Sequence, residues 1–376
     1  MLPSMILGFL LAICFNPYIY TAATTPRFSF LAIAIPISIW FSSPNHFTPL
    51  HLIGLTLTGW LTLSLAWTAF PLDGLAELIQ LGIVAGAFVL GARQPLKPIF
   101  AGLALGISVS SLIVVFPNIM TSYYVSVNWE GLFGNRNVLS ECALLTLVGC
   151  FVYRLYWFIP GLVPAILYPP AIERASAIAF IMACGAWLWS YSRIAASVCG
   201  ILAVVGALIA ASLSNYPPSA TAELVQIWTD TIKGITLFGH GFGSFYGEYP
   251  YFTESIDIAL LRPEHAHNDI LEIAFEVGII GAILYCGFAA SAFGMANSVQ
   301  RPILAAFFTY GMFAFPWHVP VTAFIGAIVL GNVAGSGNSL RYWLLRIRLA
   351  IRARDIKQTS TRAYCGFKIG GQSSAV

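Results

Sequence analysis

The stretch Arg262-Pro263-Glu264-His265-Ala266-His267-Asn268-Asp269-Ile270-Leu271-Glu272-Ile273-Ala274-Phe275-Glu276 holds the densest run of chemically able side chains in the sequence. An imidazole titrates near neutral pH, so a histidine here can accept a proton from a hydroxyl nucleophile. His265-Ala266-His267 with nearby carboxylates is also metal-ligand chemistry, but no third ligand stands at a defined spacing, so no metal is expected. Arg262 is the single arginine of its loop, and a guanidinium pairs with phosphate oxygens at two points. A salt bridge to Glu264 or Glu254 is the competing use.

If a helix begins near Asp269, then Asp269, Glu272 and Glu276 share one face. Asp269 and Glu272 have capping-box spacing, and negative charge suits a helix N-terminus. Glu276 lies one turn deeper, where an ionisable group is expensive in an apolar span. It should meet a polar cavity or a cation, and Asn268, Glu272 and Glu276 are candidate substrate-binding residues. Upstream, Gly239-His240-Gly241-Phe242-Gly243 is a turn whose Gly241 and Gly243 allow close backbone approach to a ligand. Without a strand before it and a helix after it, the motif is no nucleotide site. Earlier, Gly131-Leu132-Phe133-Gly134-Asn135-Arg136-Asn137 precedes an apolar run. Its Arg136 either anchors to lipid headgroups or adds a second cation.

The elements that must position these groups are membrane helices. Of the 376 residues 58% are hydrophobic and 9% charged, with a mean hydropathy of +0.81. Soluble domains carry about 25% charge, so a water-soluble enzyme is excluded. A span needs about 20 apolar residues. Twelve stretches approach that length: 2–21, 28–43, 50–69, 75–92, 98–116, 138–153, 156–169, 176–191, 194–212, 270–290, 302–317 and 320–335. The expected fold is an all-α polytopic bundle of about twelve transmembrane helices, forming one domain over residues 1–335. Pro160 and Pro164 make 156–169 a broken or re-entrant helix. The N-terminus has no basic flank or cleavage site of the signal-peptide kind, so the first span is read as retained.

Charge orients the bundle. Eight of the 18 basic residues lie between Arg341 and Lys368 with Asp355 as the only acid, giving a tail of +7 and a body of −4. Basic flanks stay in the cytoplasm, so the tail 336–376 is cytoplasmic. Counting back places Arg301, Arg193, Arg154, Arg93 and Lys97 inside, and leaves Arg27 and Arg174 on the disfavoured side. The loops 118–137 and 214–267 then face outward, and loops of that length are usually functional. In the second, Leu224, Ile227, Trp228, Ile232 and Ile235 recur at helical spacing, with Glu223, Gln226, Asp230 and Lys233 on the other faces. This is an amphipathic helix at the membrane surface with its Trp at headgroup level, either covering the bundle or forming a lid. Six of the seven cysteines fall in apolar runs, without disulfide or CxxC spacing.

The sequence resembles the O-antigen ligase and polymerase family of bacterial inner-membrane proteins, which includes protein O-oligosaccharyltransferases. The matching segments are Gly-Leu-Phe-Gly-Asn-Arg-Asn at 131–137, Tyr-Ser-Arg at 191–193, Phe-Gly-His-Gly-Phe-Gly at 238–243 and His-Ala-His-Asn-Asp-Ile-Leu-Glu-Ile-Ala-Phe-Glu-Val-Gly-Ile-Ile-Gly at 265–281. The resemblance implies transfer of a glycan from undecaprenyl diphosphate to an acceptor hydroxyl at the periplasmic face, without nucleotide, cofactor, obligatory metal or nucleic-acid partner. The acceptor would be lipid A-core for a ligase, a growing glycan for a polymerase, or a protein serine. The resemblance singles out His267 as the base, Arg262 as the loop arginine and Arg193 as the arginine after serine. It puts Arg193 at the periplasmic face, whereas the span count puts it inside. A transporter or flippase of lipid-linked sugars is the alternative of another class.

Overall fold

The computed structural model describes residues 2–15, 24–40, 47–115, 131–133, 135–167, 174–198, 200–201, 218–254 and 262–336. The basic tail from 337 onward, most of the loop 118–137 and most of the stretch 194–212 lie outside them. Among the described residues the chain is all-helical, without a strand. In hydrocarbon, a helix satisfies every backbone N–H and C=O within its own segment.

The helices are α1 (Leu2–Ile13), α2 (Thr24–Trp40), α3 (Pro49–Ser64), α4 (Pro71–Arg93), α5 (Leu96–Val115), α6 (Arg136–Val152), α7 (Ile159–Leu167), α8 (Arg174–Trp189), α9 (Pro218–Lys233), α10 (Asp269–Met295), α11 (Gln300–Tyr310) and α12 (Pro320–Ser336). Three segments are long and apolar enough to cross a membrane: α4, Leu96–Ile113 of α5, and α10. α7 has nine residues and runs through Pro164 after a 3₁₀ turn at Tyr156–Phe158, short of a full span as its prolines foreshadow, and residues 168–169 lie outside the described ones. One expected span is corrected. The stretch 302–317 is not one helix, because α11 ends at Tyr310 and residues 311–319 turn back through Pro316.

α12 packs along α4 at close range. A Cβ on Gly331 would fall on the Phe88 carbonyl, and one on Gly91 on the Ile328 backbone, the small-residue contact by which membrane helices approach. Arg27, expected on the disfavoured side, is buried. It donates to Leu11 O, Ala12 O and Leu132 O at 2.9–3.1 Å and stacks over Phe133. It serves packing, so the charge rule for exposed flanks does not govern it.

One end of the bundle gathers the site. Ser64 at the end of α3 accepts the Phe242 N–H at 3.0 Å, and Gly311 O beyond α11 accepts the Asp269 N–H at 2.7 Å. α12 starts at that end and finishes at Ser336, whose hydroxyl accepts from Gln300 at the start of α11. Ser336, the last described residue, therefore lies at the end opposite the site.

α10 is not a straight span. Gly278 has φ 78° and ψ 178°, non-helical values that divide it into arms 269–277 and 279–295. Tyr285 donates to the Asp269 carboxylate at 3.4 Å across sixteen residues, which would be about 24 Å apart on a straight helix. The arms therefore fold toward each other. The break frees backbone groups, and each finds a partner. Phe275 O accepts from His240 N, Glu276 O from Gly241 N, and Val277 O from the Trp60 indole, while Ile279 N donates to Thr236 O. Replacing Gly278 by Ala forces a Cβ into the Leu237 carbonyl at positive φ. Gly278→Ala should lose at least about 1–2 kcal/mol, read as a lowered melting temperature in detergent; an unchanged melt would show the break is not required.

Candidate functional site

Asn268 ends the loop and starts the first arm of α10. Its side chain caps the helix, accepting the N–H groups of Ile270 and Leu271 at 3.1 Å, and its amide donates to Met312 O. The expected capping box of Asp269 and Glu272 is corrected: Asn268 is the cap, which frees Glu272 for another task.

The Glu272 carboxylate holds the turn before it. Oε2 accepts the Ala266 N–H at 2.7 Å, and Oε1 meets His265 Nδ1 at 2.9 Å and His318 Nε2 at 3.2 Å. His318 comes from the turn before α12, and its other nitrogen faces Glu77 of α4 at 3.4 Å. The His265 and His318 rings stack with centroids 3.9 Å apart, and Phe315 lies against His265. Trp228 of α9 donates to Ala266 O at 3.0 Å. That indole covers the histidine turn, the covering role open to this helix.

His267 leaves this clamp at φ 52° and packs edge-on against Phe315. A non-glycine residue with positive φ is uncommon and marks a position the surroundings over-determine. Burial, helped by the neighbouring His265, pulls the His267 imidazole below its ordinary value, against the opposing pull of Glu272. The ring is therefore neutral at pH 7 and able to accept a proton.

A cavity of about 290 Å³ adjoins the cluster. It runs between α3 and α4, with Leu57, Val84 and Phe88 along its apolar length and Glu77, Glu272 and His318 near one end. Asp269 and Glu276 also line it. Glu276 takes no cation: its carboxylate accepts the Phe245 N–H at 2.9 Å.

No family model and no curated protein matches the chain. Placement of the expected site residues therefore rests on geometry. His267, Asn268, Glu272 and Glu276 come together; the arginines do not join them. Arg262 is exposed, with φ 43°, and no ion pair to Glu264 or Glu254 forms among the described residues; Lys233 faces Glu254 instead. Arg136 opens α6 on an exposed surface, where Asn135 is the cap. Arg193 is exposed, 5.7 Å from the Trp189 ring centre. Gly241 and Gly243 are corrected from ligand contacts to packing contacts: a Cβ there would strike Thr68 and Gly74. Asp230, expected on an exposed face of α9, is buried and bonded to Gln226 and Lys233.

Glu77 and His318 are absent from the sequence expectation. The available signal was an ionisable residue inside an apolar stretch, which is a site candidate by default. The donor atoms of His265, Glu272 and His318 lie within 4.8 Å of one another, a His₂Glu set of the zinc kind. Here they hydrogen-bond one another directly.

Burial lowers the His318 imidazole, but the carboxylates of Glu77 and Glu272 outweigh it and hold the value well above the ordinary one. A raised folded value means stability that is complete below the unfolded value near 6.5 and lost as pH rises through the folded value. Melting temperature followed from neutral to alkaline pH should fall in the wild type, and the difference from His318→Gln should shrink over the same range. A difference independent of pH would remove the charge from His318.

Proposed function

We propose that the protein transfers a glycan from a polyprenyl diphosphate to an acceptor hydroxyl, as O-antigen ligases and polymerases do. The observation that carries this reading is the Glu272 clamp, which presents a neutral His267 on a strained turn. In the step, the His267 imidazole takes the acceptor hydroxyl proton while that oxygen bonds to the anomeric carbon. The bond from that carbon to the diphosphate oxygen breaks, and polyprenyl diphosphate leaves with the bonding pair. Arg262, five residues earlier and without an ion-pair partner among the described residues, would steady the diphosphate charge.

The bundle of about twelve spans belongs to this reading, as do the inner membrane, the outward-facing loop and the cytoplasmic tail. Two observations support the orientation: the clamp and Ser336, the last described residue, lie at opposite ends, and the sequence from 341 to 368 carries +7. Ligation to lipid A-core is the first choice of acceptor. Rescue of ligase-null against polymerase-null strains, read from lipopolysaccharide ladders, decides between acceptors.

A transporter of lipid-linked sugars is the second reading, favoured by the interrupted α10, since broken helices carry substrate sites in transporters. His267→Ala separates the two. With purified donor and acceptor, transfer should fall about 10²–10⁴-fold, and the acid limb of the wild-type rate profile should have its midpoint below about pH 6.5. Full transfer by the variant would falsify the base assignment. Arg262→Ala should raise KM for the donor, and chelation with EDTA should leave the rate unchanged; strong inhibition by EDTA would move the chemistry to a metal held by His265, Glu272 and His318.

A further inference from the structure

The cavity between α3 and α4 is larger than the clamp needs. The general base leaves it unused, because His267 is not among its lining residues. Much of its lining is apolar, and one wall is α4, which is long and apolar enough to span a membrane and is mostly unburied along its length. The acids gather toward one end, and His51 beside Phe88 is the polar group along the rest, so the shape suits a molecule with a chain and a head.

The charge of that end selects the head. Glu77, Asp269, Glu272 and Glu276 line the cavity with His318, and no lysine or arginine does so. With carboxyls and the imidazoles of His51 and His318 but no guanidinium or ammonium among the lining residues, a phosphate finds no cation to fork onto. A cationic head finds few free lone pairs to coordinate it, because most of the acids already have partners. Glu272 is bonded to Ala266 N, His265 and His318; Glu276 to Phe245 N; Asp269 to Tyr285. What remains is hydrogen-bonding capacity. The Glu77 carboxylate has only His318 at 3.4 Å on one oxygen, and the Gln80 amide, one turn along the same face, has no partner among the described residues. A carboxylate oxygen accepts, and an amide both accepts and donates, which is the complement of a hydroxyl.

We infer that this cavity binds a membrane amphiphile with an uncharged, hydroxyl-bearing head, such as a single sugar on a lipid chain, with the head against Glu77 and Gln80 and the chain along α3 and α4. It excludes diphosphate heads, so a polyprenyl diphosphate would approach from the exposed Arg262 side. This assignment does not rest on the transferase reading.

The test uses the full chain in phosphatidylcholine nanodiscs and an octyl glucoside with a diazirine in its alkyl chain. Photolabelling followed by peptide mapping should mark α3 and α4. Unlabelled octyl glucoside should compete, and octyl phosphate and octyltrimethylammonium should need at least about tenfold higher concentration. Val84→Trp, which fills the channel, should abolish the label. Should that variant fail to fold, Gln80→Ala carries the test without a change in packing, and should weaken competition by about three- to tenfold, the worth of one hydrogen bond. Equal or better competition by the phosphate or the ammonium overturns the inference, as does label that is absent from α3 and α4 or indifferent to both substitutions. No donor or turnover is involved, so inactivity in transfer and failure to bind the glucoside are separate results.

Discussion

The Glu272 carboxylate is the interaction on which this site depends. One oxygen takes a backbone N–H and the other meets two imidazoles, so a single group ties the loop before α10 to the turn before α12. A buried carboxylate is tolerated only when its lone pairs are filled, and here each donor comes from a segment that must be held. Ala266 and His265 fix the approach to His267, while His318 passes the tie on to Glu77 of α4.

That arrangement needs a short first arm. A continuous α10 would keep Asp269 and Tyr285 at opposite ends of a long helix; the break at Gly278 folds them together and opens four backbone positions. Thr236, the glycine turn 239–243 and Trp60 fill those positions. The loop that looked like a ligand cradle is thus a strap, and its positive-φ glycines let it lie against Thr68, Gly74 and the broken helix. Strain at Gly278 and at His267 is carried by the same packed region, which is how a site stores conformations that its residues would not adopt alone.

The cavity and the clamp divide the polar groups between them. The acids serve as acceptors for the local backbone and the histidines, and no lysine or arginine lines the channel. The arginines stay outside: Arg136, Arg193 and Arg262 are all exposed, while Arg27 is consumed by helix and loop carbonyls. The three exposed arginines therefore stand apart from the carboxyls, whose cationic partner inside the bundle is His318.

Composition and apolar run length by themselves determined an all-helical, lipid-embedded class, because hydrocarbon leaves the backbone no partner but itself. The local pattern also determined the amphipathic α9, the short proline-bearing α7 and the cluster at 265–276, since these depend on neighbours in the chain. Tertiary structure alone decided what the cluster touches. Glu77 and His318 are 241 residues apart, so no spacing could join them; Asn268, not Asp269, became the cap because Met312 O also received its amide. Whether Gly278 continued or broke the helix depended on partners from α3 and the glycine turn. Those partners are distant in sequence, and a freed carbonyl in an apolar interior is stable only where they arrive.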